Sequence, residues 1–259
     1  MTAAASDPDK SNRAASTRTF IILIAIYAVV AGLSVFLPQG TAAAPAQPTE
    51  LPASLPVLAL ANGLIVFVAY GGLGLLGLFF ARKIGMPEIW DPAVTSRQRF
   101  LIPAITGAVI GAFLILIDVL FAPINGIGHI PHPPFPTSIV ATLAAAIGEE
   151  TLFRLFFITF WTWLISRVIL RGRWQTPIYW IVSVFAAIAF AMSHLPGLMY
   201  LEGWNSMSQV PLVLIIELLL LNAALGMAAA GLFKKYGFLA AVGVHLWADV
   251  IWHVLYGLI

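Results

Sequence analysis

The chain has 259 residues, 61% of them hydrophobic and only 9% charged. A soluble domain carries about 25% charged residues, so this sequence cannot cover a globule with polar surface, and its solvent is mostly lipid. A net charge of +2 excludes the strong positive field that nucleic acid requires, and the absence of cysteine excludes disulfides, thiolate metal sites and cysteine nucleophiles.

Residues 1–19 are polar and rich in Ala and Ser, and they read as a disordered tail. An apolar run follows at about 20–37. Ala42 to Ala46 offers the small residues of a cleavage site, but the run is of span length, so it is read as a retained first span. Six further apolar stretches follow at about 57–80, 101–121, 138–165, 177–194, 211–233 and 238–257. The expected fold class is all-α, a polytopic transmembrane helical bundle of about seven spans. The chain divides into a tail (1–19), N-terminal membrane spans (20–136) and a membrane core (137–257).

The loops sort by charge. Lys10, Arg13 and Arg18 precede the first span, and Arg82, Lys83, Arg97 and Arg99 follow the second. Arg167, Arg171 and Arg173 follow the fourth, and Lys234 and Lys235 the sixth. Loops 38–56, 122–137 and 195–210 hold no Lys or Arg. Basic loops stay in the cytoplasm, so the N-terminus is expected inside and the C-terminus outside. Loop 38–56 is rich in Ala and Pro, and loop 122–136 contains Gly126, Gly128, Pro131, Pro133, Pro134 and Pro136. Both read as irregular and extended. His129 and His132 in the second are read as interfacial polar residues rather than a metal site.

An ionised residue at the centre of a spanning helix costs roughly 2.5–3.5 kcal/mol on insertion scales, so each one needs a reason. The candidates are Asp118, Glu149, Glu150, Arg154, His194, Glu217, His245, Asp249 and His253. Six of them form three groups. In Glu149-Glu150-Thr151-Leu152-Phe153-Arg154, adjacent carboxylates repel each other and are poorly solvated. Arg154 lies four residues after Glu150 and shares its helix face. Glu149 points about 100° away and is free to face a cavity. The small residues Ala144 to Gly148 admit a neighbouring helix. His194 ends the second group, Phe190-Ala191-Met192-Ser193-His194, where Pro196 is expected to stop the helix. In His245-Leu246-Trp247-Ala248-Asp249 the i, i+4 spacing puts imidazole and carboxylate on one face, where the acid can fix the ring's tautomer. His253 is read as an interfacial histidine, and Asp118 and Glu217 as helix-contact or boundary residues.

Such groups can activate water. With no cysteine and no serine in a nucleophile motif, a glutamate general base is the economical choice. The imidazoles then either coordinate a divalent metal such as zinc, with Glu149, His194, His245 and Asp249 as candidate ligands, or hydrogen-bond the oxyanion without a metal. The spacing leaves both open. Because the histidines come from different spans, the site must be assembled by folding.

The ordered trio, Glu-Glu-x-x-x-Arg, Phe-x-x-x-His and His-x-x-x-Asn or Asp on successive membrane helices, resembles the CAAX protease and bacteriocin-processing (CPBP, or Abi) family of intramembrane endopeptidases. The resemblance covers about 137–257. It implies peptide-bond hydrolysis, with Glu149 activating water and Glu150 and Arg154 shaping the site. His194, His245 and Asp249 would bind metal or the oxyanion. Asp249 stands where many relatives have asparagine, and it adds a charge. The expected partners are a peptide or protein substrate and the lipid bilayer, with no nucleic acid, and the expected location is a bacterial plasma membrane. An ion- or proton-coupled transporter and a non-catalytic immunity or scaffold protein are the competing readings. One tension stands out. His194 lies far from the cytoplasmic end of its span, while His245 lies about 10 Å from the start of its own at 1.5 Å per residue. For the two to meet, the last span has to start early, tilt or break, with 231–243 the expected irregular stretch.

Overall fold

The computed structural model describes residues 8–38 and 53–259. Seven helices are long and apolar enough to cross a membrane. They are α1 (Lys10–Ser34), α2 (Leu55–Lys83), α3 (Arg97–Phe121), α4 (Thr137–Ile169), α5 (Gln175–Leu201), α6 (Leu212–Tyr236) and α7 (Phe238–Leu258). No strand occurs among the described residues. This is the all-helical bundle expected where no water is available to satisfy the backbone. Leu60, Ile65, Val68 and Val109 are exposed large hydrophobics, and they face the region lipid would fill.

Three expectations need correction. Residues 8–19, expected to be disordered, are helical, because the helix starts at Pro8 and runs into the first span. This end is docked. The Trp90 indole donates to the Thr19 hydroxyl at 2.6 Å, Arg82 donates to the Thr17 hydroxyl at 3.1 Å, and Ser16 is buried. Second, Pro196 does not end the fifth span. The chain turns at His194 and restarts as Leu195–Leu201, with Pro196 in the first turn, where its missing N–H costs nothing. Third, 231–243 is helical except at one residue, Gly237. Residues 1–7 and 39–52, which include the start of the expected tail, Ala42 to Ala46 and most of the first outer loop, lie outside the described residues.

Gly237 joins α6 to α7 at φ 83°, and a Cβ there would come within 3.2 Å of the Pro87 and Glu88 carbonyl oxygens. Only glycine suits both the angle and the space. The turn is sunk beneath the segment between α2 and α3. Ile84, Met86 and Ile89 pack with Phe20, Ile147, Tyr179, Phe233 and Phe238 in the largest buried cluster. His194 and His245 do meet, since both rings pack on Phe190.

At the other end, loop 122–136 is irregular, as expected. Buried Asn125 ties it down, donating to Glu217 of α6 at 2.7 Å and to the Gly128 carbonyl at 2.8 Å. A second buried cluster, Leu195, Leu198, Val210, Leu214 and Leu218, lies on this side.

Candidate active site

The wall that carries His245 and Asp249 is set by close helix packing. A Cβ on Gly111 of α3 would lie 2.7 Å from the Ala248 carbonyl oxygen and 2.6 Å from the Ile251 Cβ. Small residues let α3 press on the back of α7. On α4, a Cβ on Gly148 would lie 2.6 Å from the Tyr27 ring, so α1 backs the next helix turn in the same way. Both carboxylate-bearing helices then widen into π-helical winding, α4 over Glu150–Ile158 and α7 over Val250–Leu255. Such wide turns collect at functional sites.

Glu150 is fully buried. Its Oε1 accepts from His245 Nδ1 at 2.7 Å and lies 3.0 Å from Arg154 Nη1. The tautomer of His245 is therefore fixed by Glu150 on another helix, not by Asp249 as the i, i+4 spacing suggests. Asp249 lies on the opposite side of the ring, 3.5 Å from Nε2, and Glu149 lies 3.6 Å from the same nitrogen. Both are in ion-pair range. The imidazole is thus anchored through one nitrogen, and the other is left facing two carboxylates.

Arg154 is 1% exposed. Its guanidinium sits over the Phe190 ring, 4.8 Å from the centroid, a desolvated cation–π contact. A Cβ on Gly226 would lie 3.0 Å from its Nη2, so the missing side chain of Gly226 makes room for the cation. Nη1, Nη2 and Glu150 Oε2 have no aligned hydrogen-bond partner. Charge attraction and ring contact hold this pair more than directed bonds do.

Phe190 is also the hinge between the two histidines. Its ring centroid lies 5.0 Å from that of His194 and 5.8 Å from that of His245. His194 Nδ1 donates to the Phe190 carbonyl at 2.8 Å, which leaves Nε2 as its free nitrogen. His194, His245, Glu149 and Asp249 all line one cavity of about 280 Å³. Glu149 keeps 33% of its side chain exposed, against 0% for Glu150. The 100° between adjacent helix positions sends one carboxylate into the cavity and the other into the core. Glu150 and Arg154 do not line the cavity; they sit behind His245.

Two cavity residues are not evident from the sequence. His253, read as interfacial, lines the cavity, and its Nδ1 is 2.9 Å from that of His132. Asn222 of α6 lines it too, donating to the Leu218 carbonyl at 2.9 Å. That bond fixes the amide orientation, since the opposite flip would set two oxygens against each other. Among the described residues no donor reaches its Oδ1. An uncharged amide among leucines is invisible to a search for ionisable groups. Asn62 of the second span looks the same in the sequence, so nothing there singles Asn222 out.

Glu149, His194, His245 and Asp249 are chemically suited to zinc. Among the described residues, however, no three His, Cys, Asp or Glu side chains converge as a ligand set. Glu150 occupies one nitrogen of His245, and the Phe190 carbonyl occupies one of His194.

The fold is that of a polytopic helical membrane protein with a polar cavity inside the bundle. Residues 131–251 match the family model of type II CAAX prenyl endopeptidase Rce1-like proteins, which supports a CPBP/CAAX protease resemblance for this part of the chain. The matched segment contains Glu149, Glu150, Arg154, His194, His245 and Asp249. No curated protein and no solved structure matches the chain.

Proposed function

We propose that the chain is an intramembrane endopeptidase in which Glu149 activates water. One observation carries the reading. A part-exposed carboxylate faces a cavity beside an imidazole whose far nitrogen is held by a fully buried carboxylate. In the proposed reaction Glu149 takes a proton from water as the oxygen attacks the peptide carbonyl carbon. The developing oxyanion accepts a hydrogen bond from Nε2 of doubly protonated His245, which Glu150 and Arg154 keep in place. The C–N bond then breaks, and the proton on Glu149 passes to the leaving nitrogen, giving a carboxyl and an amine terminus. His194 presents its Nε2 to the substrate across the Phe190 ring, and Asp249 balances charge beside His245.

Peptides that accumulate in the membranes of cells carrying Glu149→Gln, compared with the wild type, test the reading. A set of uncleaved precursors is expected. Cleavage of one of them by the purified protein is expected to fall by at least about 100-fold in the variant, within the 10²–10⁴ that a general base contributes. Identical peptide profiles over several growth conditions, with no precursor cleaved in vitro, would overturn it.

A further inference from the structure

The two ends of the bundle differ in charge. Apart from Arg154, every Lys and Arg lies at or beyond one end of a span. Contacts show that these belong to a single end of the molecule. Arg82 reaches Thr17 at 3.1 Å, Gln175 donates to the Ile84 carbonyl at 2.6 Å, and Gly237 sits against Pro87 and Glu88. The opposite end is built from loop 122–136, residues 195–211 and the C-terminus. There Asn125 meets Glu217, Gly126 meets Pro211, and Gly257 meets His132.

The cavity belongs to the end that has no Lys or Arg. Ile130, Pro131 and Pro133 of the outer loop line it, as do Gly197 and Leu201 beyond the His194 turn. No residue from 84–96, 170–174 or 236–237 does. Pro131 and Gly197 are exposed at the rim. Toward the basic end the site is closed by Ala146, Ile147, Ala186, Phe233 and Ala241, all buried in the main cluster. A cluster packed at the density of an organic crystal admits no peptide.

We propose that the cavity opens away from the cytoplasm and takes an apolar, extended peptide segment presented from the extracytoplasmic face or outer leaflet. The direction follows from the positive-inside rule applied to an end that gathers the basic residues of every inner loop. The apolar character follows from Leu198, Leu218, Leu221 and Leu225 on the walls. The unclaimed Asn222 Oδ1 supplies one acceptor for a substrate backbone N–H. This inference rests on the endopeptidase reading for the word substrate, but the direction of opening does not.

Because the chain has no cysteine, single cysteines report accessibility without a background. Gly197→Cys sits on the rim where a Cβ meets nothing within 4 Å, and Ser96→Cys sits exposed at the basic end. In intact bacterial cells a membrane-impermeant maleimide is expected to label Gly197→Cys directly and Ser96→Cys only after permeabilisation. The reverse pattern would overturn the proposal. In parallel, right-side-out vesicles are expected to cleave added internally quenched apolar peptides at least 10-fold faster than sealed inverted vesicles, with Glu149→Gln vesicles as the blank. Faster cleavage by inverted vesicles would also overturn it. Cleavage by neither orientation, nor by the detergent-purified protein, would count against the endopeptidase reading alone, and the labelling would still decide the direction of opening.

Discussion

Two places in this molecule bring carboxylates and imidazoles together inside an apolar bundle, and they do opposite things. In the outer cluster, Asp118 is fully buried and accepts from the Ile130 backbone N–H at 2.8 Å, from the Tyr256 hydroxyl at 3.0 Å and from His129. Its acceptors are used, and the product is a fixed loop. In the inner cluster, Glu149 and Asp249 share one imidazole nitrogen at 3.6 and 3.5 Å, and both line a cavity. The residue types are the same. What separates a structural site from a chemical one is which polar atoms are left without a protein partner, and whether those atoms face space.

The sharpest way to break this comparison is to remove one carboxylate from each cluster. Glu149→Gln is expected to cost at least about 100-fold in peptide cleavage while leaving the melting temperature in detergent nearly unchanged. Asp118→Asn is expected to keep cleavage within a few-fold. Comparable losses of cleavage in both would erase the distinction.

The buried ion pair behind the site comes next. Arg154→Met leaves buried Glu150 compensated only by His245 at 2.7 Å, and breaking a buried pair costs up to about 3–5 kcal/mol. A large drop in thermal stability is expected. The double variant with Glu150→Gln should recover part of it, because the buried charge is then gone. Equal instability in single and double variants would mean that packing on Phe190, not charge, is what Arg154 supplies.

Stability rather than activity should report Asp118→Asn. Weakening bonds to a buried charged acceptor costs about 1–3 kcal/mol, readable as a lower melting temperature and faster proteolysis within loop 122–136. The smallest effect concerns His132 in that loop. Burial first, and then neighbouring His253, push it down from 6.5 to about 4, with Asp118 opposing and His129 adding to the shift. The folded protein thus holds His132 neutral where the unfolded chain would protonate it. Its contribution is intact above about pH 6.5 and is lost as the pH falls toward 4. Melting temperature is expected to decline over that window, and His132→Phe, which keeps an aromatic ring against Trp252, should shallow the decline. An unchanged slope would assign the acid sensitivity to other groups.

The spans were legible because lipid imposes a coarse rule: long apolar runs with basic residues gathered at alternate ends. The mistake at residues 8–19 has a long-range cause. A helix can continue past the bilayer when it has something to lean on, and Trp90 and Arg82, which hold it, lie some 70 residues away in sequence. The separation of Glu149 from Glu150 was legible from helix geometry alone. The partner of His245 was not, because i, i+4 spacing names the neighbour on the same helix, whereas the shorter bond comes from α4. Asp118 and Glu217 were read as helix-contact or boundary residues, and their partners, His129, Tyr256 and Asn125, are set by the fold of an irregular loop with no periodicity to read.

The one-residue turn at Gly237 also constrains how the protein is made. With one residue between α6 and α7, the two are neighbours as soon as both have been made, and a tight hairpin is the form in which they can sit in the bilayer. His245 and Asp249 then meet the lipid already shielded along one side by α6, which lowers the insertion penalty of two ionisable residues in the last span. A longer turn at this position would separate the pair during synthesis and expose those residues to the membrane before the rest of their site could receive them.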